Sequence, residues 1–129
     1  MKYPFTLKSY KSKCLEGNLN VPSDKSISIR ALILASYCIG KCKIFNLLES
    51  DDVLNTLEVI KKLGIKIEKK KNYYIIHGNG GHYEEPRTEL YFGNSGTGVR
   101  LLAGLLSSSN LNATLTGDSS LSSRPMSVS

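Results

Sequence analysis

The sequence predicts an α/β (α+β) chain built on a repeated strand-helix-strand-helix-strand-strand unit, one unit complete and a second cut short. Three observations carry that reading. Two segments, Val-Pro-Ser-Asp-Lys-Ser-Ile-Ser-Ile-Arg at 21–30 and Gly-Asn-Ser-Gly-Thr-Gly-Val-Arg at 93–100, each place small polar residues and a cation just before a long apolar run. They align with each other when Arg30 is set on Arg100, an offset of 70 residues that also puts Asp24 on Asn94, Ile29 on Val99 and Leu32 on Leu102; self-similarity at a fixed period is how repeats show themselves. Between the two segments the apolar pattern alternates between helical and strand periods.

The elements follow in order. Residues 1–20 have weak periodicity and no motif, and supply a strand or a tail packed elsewhere. The first unit, 21–78, opens with a strand near Val21. The run 26–39 is apolar almost all round, which predicts a helix buried on most sides with Gly40 as its stop. Residues 44–48 read as a strand. Ser50 is a suitable N-cap, Asp51 and Asp52 lie in the favoured first turn, and Val53, Leu54, Leu57, Ile60 and Leu63 form an apolar stripe ending at Gly64. Glu58 and Lys62 have i,i+4 spacing. Ile65 and Ile67 alternate with Lys66 and Glu68, and a polar turn at 69–72 leads into Tyr-Tyr-Ile-Ile, giving two strands.

The second unit, 79–129, begins with a Gly-rich loop at 78–81. A strand is expected at 89–92, a helix at 95–106, a strand at 112–116, and a further helix from Arg124-Pro-Met126. Ending inside a unit is expected to leave an uncovered sheet edge and exposed apolar surface.

Composition sets broad bounds. The chain has 129 residues, 40% apolar and 22% charged, a normal balance for one globular domain. Arg30 and Ser36 interrupt the longest apolar run, and the N-terminus lacks a signal-peptide pattern, so a cytoplasmic protein without a membrane partner is expected. Cys14, Cys38 and Cys42 contain no C-x-x-C pair, which suggests neither a disulfide framework nor a zinc site; Cys38 and Cys42 are expected to be buried thiols. The net charge of +6 is gathered partly in Lys61, Lys62, Lys66, Lys69, Lys70 and Lys71, without interleaved aromatics, and reads as a solvated face with no nucleic-acid partner. His77 and His82 are expected to be solvated and without chemistry.

The two polar segments suit anions. The first turn of a helix leaves backbone N–H groups unpaired and carries partial positive charge, so phosphate or carboxylate is favoured there. Lys25, Arg30 and Arg100 add full charges. Read alone, these three also fit surface or ion-paired residues, and 94–97 also fits an N-cap turn.

Four motifs in order strengthen the functional reading: Val-Pro-Ser-Asp-Lys-Ser-Ile-Ser at 21–28, Asn-Leu-Leu-Glu-Ser-Asp-Asp-Val at 46–53, Gly-Asn-Ser-Gly-Thr-Gly-Val-Arg-Leu-Leu-Ala at 93–103, and Leu-Thr-Gly-Asp at 115–118 followed by Arg124-Pro-Met126. With these, the chain resembles the N-terminal part of the EPSP synthase family, the 3-phosphoshikimate 1-carboxyvinyltransferases. The resemblance implies the enolpyruvyl transferase inside-out barrel fold, in which 21–129 is an incomplete first domain and 1–20 belongs with the other domain. It also implies transfer of the enolpyruvyl group of phosphoenolpyruvate to the 5-hydroxyl of shikimate 3-phosphate with release of phosphate, a step of the shikimate pathway to chorismate and aromatic amino acids. No metal or organic cofactor is implied.

Residue by residue, the resemblance makes Lys25 a contact to both substrates, Ser26 and Arg30 contacts to shikimate 3-phosphate, and Asn94, Gly96, Thr97 and Arg124 contacts to phosphoenolpyruvate. Arg100 is either a ligand contact or a brace for the loop. Ile29 departs from the family, whose members commonly carry His or Asn there. Family enzymes are more than three times as long, so the acid/base carboxylates are expected beyond Ser129, and this stretch supplies clamps without catalytic groups. The expectation is a chain that is marginally stable, inactive alone, and active only with a complementing C-terminal polypeptide. The alternatives are a truncated non-catalytic relic or pseudogene product, and a relative of UDP-N-acetylglucosamine enolpyruvyl transferase; that family typically has Lys-Asn where this chain has Lys25-Ser26.

Overall fold

The computed structural model describes residues 5–126. Its elements are helix α1 (Lys25–Tyr37), strand β1 (Ile39–Phe45), helix α2 (Asp51–Lys62), strands β2 (Ile67–Lys69), β3 (Tyr73–Asn79) and β4 (Leu90–Tyr91), helix α3 (Gly96–Leu106), strand β5 (Leu115–Thr116) and the single turn α4 (Ser119–Ser122). Strands β1, β3 and β2 form an antiparallel sheet in that order, while β4 and β5 pair in parallel across α3. A parallel pair needs such a crossover, because a tight turn can only join antiparallel strands.

The helix boundaries follow from local chemistry. Asp24 caps α1 by accepting a hydrogen bond from the Ile27 N–H at 2.7 Å, and Ser95 caps α3 by accepting from the Gly98 N–H at 3.2 Å. Gly64, at φ 87°, ends α2. There the Ile65 N–H reaches the Ile60 carbonyl and the Gly64 N–H reaches that of Lys61, the paired bonds of a Schellman stop, with Ile65 buried behind them.

Helix α1 is the centre of the packing, touching α2, α3 and β3. Its Ile29, Leu32 and Ile33 join Val53, Leu57 and Ile60 of α2, Tyr74 and Ile76 of β3, and Val99 and Leu102 of α3 in one continuous apolar cluster. Each fully buried side chain of this kind contributes about 1.5–3 kcal/mol. Gly78 makes the seat of α1 on β3 possible: a Cβ there would lie 2.2 Å from the Cys38 carbonyl oxygen and 2.4 Å from that of Ala35. The sequence reading placed Gly78 in a loop; it lies in a strand, where bare backbone allows close approach.

Several expectations are corrected. No strand forms near Val21, since residues 21–24 find no ladder partner among the described residues and are held instead by the Ser23 hydroxyl donating to the Asn46 carbonyl. Helix α1 ends at Cys38 in extended backbone, and Gly40 lies inside β1. Nor is α1 buried on most sides: Ile27, Leu34 and Tyr37 are exposed. The strand expected at 44–48 begins earlier and stops at Phe45, because Asn46 turns the chain at φ 54°, a conformation asparagine tolerates. Cys38 is exposed and Cys42 half-buried, neither a core thiol. Ser50 makes no side-chain cap bond. Glu58 pairs with Lys61, at i,i+3, while Lys62 donates to the Glu89 carbonyl. His77 is no free solvated histidine, for its Nε2 lies 2.7 Å from Glu68 Oε1. Residues 124–126 are not helical and follow the unexpected turn of α4; the rest of the helix expected there lies outside the described residues, as do residues 1–4.

Candidate functional site

The sequence-predicted residues fall into two groups, one at the start of α1 and one around the start of α3. In the first, the Asp24 cap fixes the opening turn of α1, so Lys25, Ser26 and Arg30 project from its N-terminal half. Lys25 Nζ lies 2.7 Å from Asp52 Oδ2, with the lysine half exposed and the aspartate largely buried. Asp52 sits in the first turn of α2, where a carboxylate is favoured by the helix dipole. One ammonium proton is thereby used and two remain for a ligand. Ser26 is half-buried and Arg30 exposed on the same helix.

In the second group, the Arg124 guanidinium donates to the Asn94 side-chain oxygen, and it reaches the Ser120 hydroxyl at 3.4 Å. Gly96 lies against this arginine: a Cβ on Gly96 would be 3.0 Å from Arg124 Nη1, so glycine keeps the guanidinium close to the loop. Thr97 is half-buried in the first turn of α3. Arg100 donates to the Pro125 carbonyl at 2.9 Å, bracing the segment that carries Arg124. Below the loop, the Asp118 N–H bonds the Gly93 carbonyl at 2.9 Å, and Asp118 Oδ1 caps α4 by accepting from the Leu121 N–H.

A cleft of about 520 Å³ joins the groups, lined by Asp51, Asp52, Asn55, Gly93, Asn94 and Asp118 among others. Asp52, the partner of Lys25, and Asn94, the partner of Arg124, both line it. Its own walls are acidic and include neither Lys25 nor Arg124, so an anion is suited to those two cations and not to the cleft floor. A larger groove of about 730 Å³ between α3, β5 and α4 is mainly apolar and includes Arg100. Among the described residues no group of three or more His, Cys, Asp or Glu side chains could hold a metal ion, and no helix is long and apolar enough to cross a membrane.

Sequence reasoning treated Asp52 only as a helix-start residue and missed that it engages Lys25. It also gave no role to Thr56, which is fully buried where α2 meets α3. The pair Asp51-Asp52 after Ser50 was the available signal for the first. For Thr56 there was none, since a threonine within an amphipathic helix carries no spacing of its own.

Comparison with known proteins decides the family. A family model described as EPSP synthase (3-phosphoshikimate 1-carboxyvinyltransferase) matches residues 9–128. The chain belongs to the EPSP synthase family. It is 46% identical over 125 residues to a 3-phosphoshikimate 1-carboxyvinyltransferase of Bradyrhizobium, covering 95% of this chain and 28% of that protein. With the enzyme of the same name from Streptococcus gordonii it shares 46% identity over 116 residues, 89% of this chain and 27% of the other. The solved EPSP synthase from Acinetobacter baumannii superposes with a TM-score of 0.79 at 42% identity, covering 85% of this chain and 26% of that one. The mixed α/β architecture is therefore the family's, and the chain spans roughly a quarter of the length of the curated relatives it matches.

Proposed function

We propose that this chain supplies substrate clamps to an enolpyruvyl transferase that moves the enolpyruvyl group of phosphoenolpyruvate to the 5-hydroxyl of shikimate 3-phosphate and releases phosphate. The observation that carries the reading is the single cleft shared by the partners of Lys25 and Arg124, in a chain of this family. Lys25 stands between the two substrates as a compact point charge. Ser26 and Arg30 hold the 3-phosphate, while Asn94, Gly96, Thr97 and Arg124 hold phosphoenolpyruvate, with Arg100 as brace. Residues 21–78 and 79–129 correspond to one whole and one partial repeat of the fold, and the protein works in the cytoplasm on the route to aromatic amino acids.

In the reaction, the 5-hydroxyl oxygen bonds to C2 of phosphoenolpyruvate as the hydroxyl loses its proton and the methylene carbon gains one; loss of phosphate and of a methyl proton then restores the double bond. Clamps contribute by fixing the two substrates in reacting geometry and by offsetting their negative charge. The acid and base groups belong to parts of the family enzyme outside these 129 residues, so the 129 residues by themselves are expected not to turn over substrate.

A coupled phosphate-release assay tests this, run on the purified chain with and without the separately expressed remainder of a close relative. Release only in the mixture, lost on Lys25→Ala, is the expected result. Silence in the mixture overturns the reading in favour of a non-catalytic relic, provided that melting shows a folded chain and the relative's own two portions are active under the same protocol.

A further inference from the structure

The two clamp groups start on α1 and α3, and α2, which supplies Asp52 to Lys25, meets α3 at one close contact. Thr56 is one turn after Asp52 on α2, fully buried, with its hydroxyl donating to the Asp52 carbonyl at 2.9 Å. It faces Gly98 in the first turn of α3. A Cβ on Gly98 would lie 2.7 Å from Thr56 Oγ1, 2.7 Å from Ser95 Oγ and 3.3 Å from Phe92 Cδ1. The first two separations are shorter than real Cβ contacts, so the helices approach here only because position 98 has no side chain. Ser95 Oγ is itself the cap of α3, accepting from the Gly98 N–H, and is almost wholly buried. The residue before it is Asn94, partner of Arg124. Thr56 thus touches the carbonyl of the residue that holds Lys25, and Gly98 touches the cap beside the residue that holds Arg124.

We propose that Thr56 and Gly98 are positioning residues whose contact sets the distance between the Lys25–Asp52 pair and the Asn94–Arg124 pair, and through it the fit of phosphoenolpyruvate. The proposal rests on the functional reading above. Neither residue reaches the ligand. Interiors are packed too tightly to absorb an added methyl without movement, and since α2 and α3 are anchored in the same core, the added methyl has to displace the Ser95 cap, the Thr56 contact or both. Misplacing a clamp by about 1 Å can cost up to about 10²-fold in rate. Ser26 and Arg30 stand on α1, which carries neither Thr56 nor Gly98, so the shikimate 3-phosphate end is expected to change less.

The test compares Gly98→Ala, Thr56→Ala, the double variant and Thr56→Ser, each in the 129-residue chain mixed with the relative's remainder. Gly98→Ala is expected to raise KM for phosphoenolpyruvate by about tenfold or more, with the shikimate 3-phosphate KM changed less than about twofold. The double variant, in which the new methyl takes the space of the lost hydroxyl, recovers part of that rise. Thr56→Ser, which keeps the hydroxyl, behaves as the parent. Equal rises in both KM values, or no recovery in the double variant, overturn the proposal. A second readout is independent of turnover: NMR of the ¹⁵N-labelled 129-residue chain. There Gly98→Ala should shift both the Asn94 side-chain amide and the Asp52 backbone amide; a shift confined to residues 95–99 overturns the proposal even if the mixture is silent and the functional reading has failed. If Gly98→Ala does not fold, Thr56→Ala carries the same two readouts, with a smaller rise expected.

Discussion

At the scale of single residues, the charged side chains are held by specific partners, some near in sequence and some far. Glu68 shows how strongly. It accepts from Lys70 and from His77, with Lys66 nearby, and these donors, Lys70 foremost, lower its carboxyl from the usual 4.5 to about 2. The folded state therefore favours the ionised form. Its stabilising contribution is complete above about pH 4.5 and is lost as pH falls towards 2. Glu68→Gln is expected to flatten the acid limb of the melting curve across that window, leaving neutral-pH activity of the mixture unchanged; thermal melts at pH 2 to 7 check it. An acid limb identical to the parent's would mean that Glu68 does not link pH to folding. The neighbouring Glu49 is lowered by hydrogen bonds from Lys69 and Tyr74, so Lys66, Lys69 and Lys70 of the lysine-rich hairpin each have a glutamate beside them.

At the scale of elements, helix starts have local causes and can be tested locally. The Asp24 cap is the device that starts α1 and so aims Lys25 and Ser26. Asp24→Ala removes the bond to Ile27 and should cost about 1 kcal/mol of stability, read as a lower urea midpoint with an unchanged slope. Asp24→Asn or Asp24→Ser should restore most of it. A loss that neither replacement recovers would show that the carboxylate acts through something other than the cap. The strands behave differently. Strand β1 runs from Ile39 to Phe45 because every residue in it finds an opposite number on β3, from Ile39↔Asn79 to Phe45↔Tyr73. Its extent is a property of the pair.

For the whole molecule, the balance of buried and exposed apolar surface is unusual. One cluster unites all three long helices and the three-stranded sheet, yet Ile27, Leu34, Tyr37 and Ile39 lie open on and just after α1, Ile39 being 91% exposed. The segment before α1 also exposes Phe5, Leu7, Tyr10, Leu15 and Leu19. Monomeric proteins rarely leave such patches uncovered. The isolated chain is expected to bind an apolar dye such as ANS and to melt at a low temperature. Adding the relative's remainder should reduce dye binding and raise the melting point by mass action. A chain that binds no dye and melts as an ordinary stable domain would contradict this.

What the sequence alone determined were features with local causes: that helices start just after the two polar segments, the Gly64 stop, the amphipathic face of α2, and the ordered motifs that carry the family resemblance. Each depends on groups within a few residues, so reading along the chain reaches them. The tertiary structure alone decided where β1 begins and ends, that Cys38 is exposed, that Gly78 seats α1, and that Lys25 meets Asp52 while Arg124 meets Asn94. In each of these, the partner that fixes the outcome comes from another element. A hydrogen-bond ladder, a burial or an ion pair is specified by two places in the chain at once, and only folding brings them together.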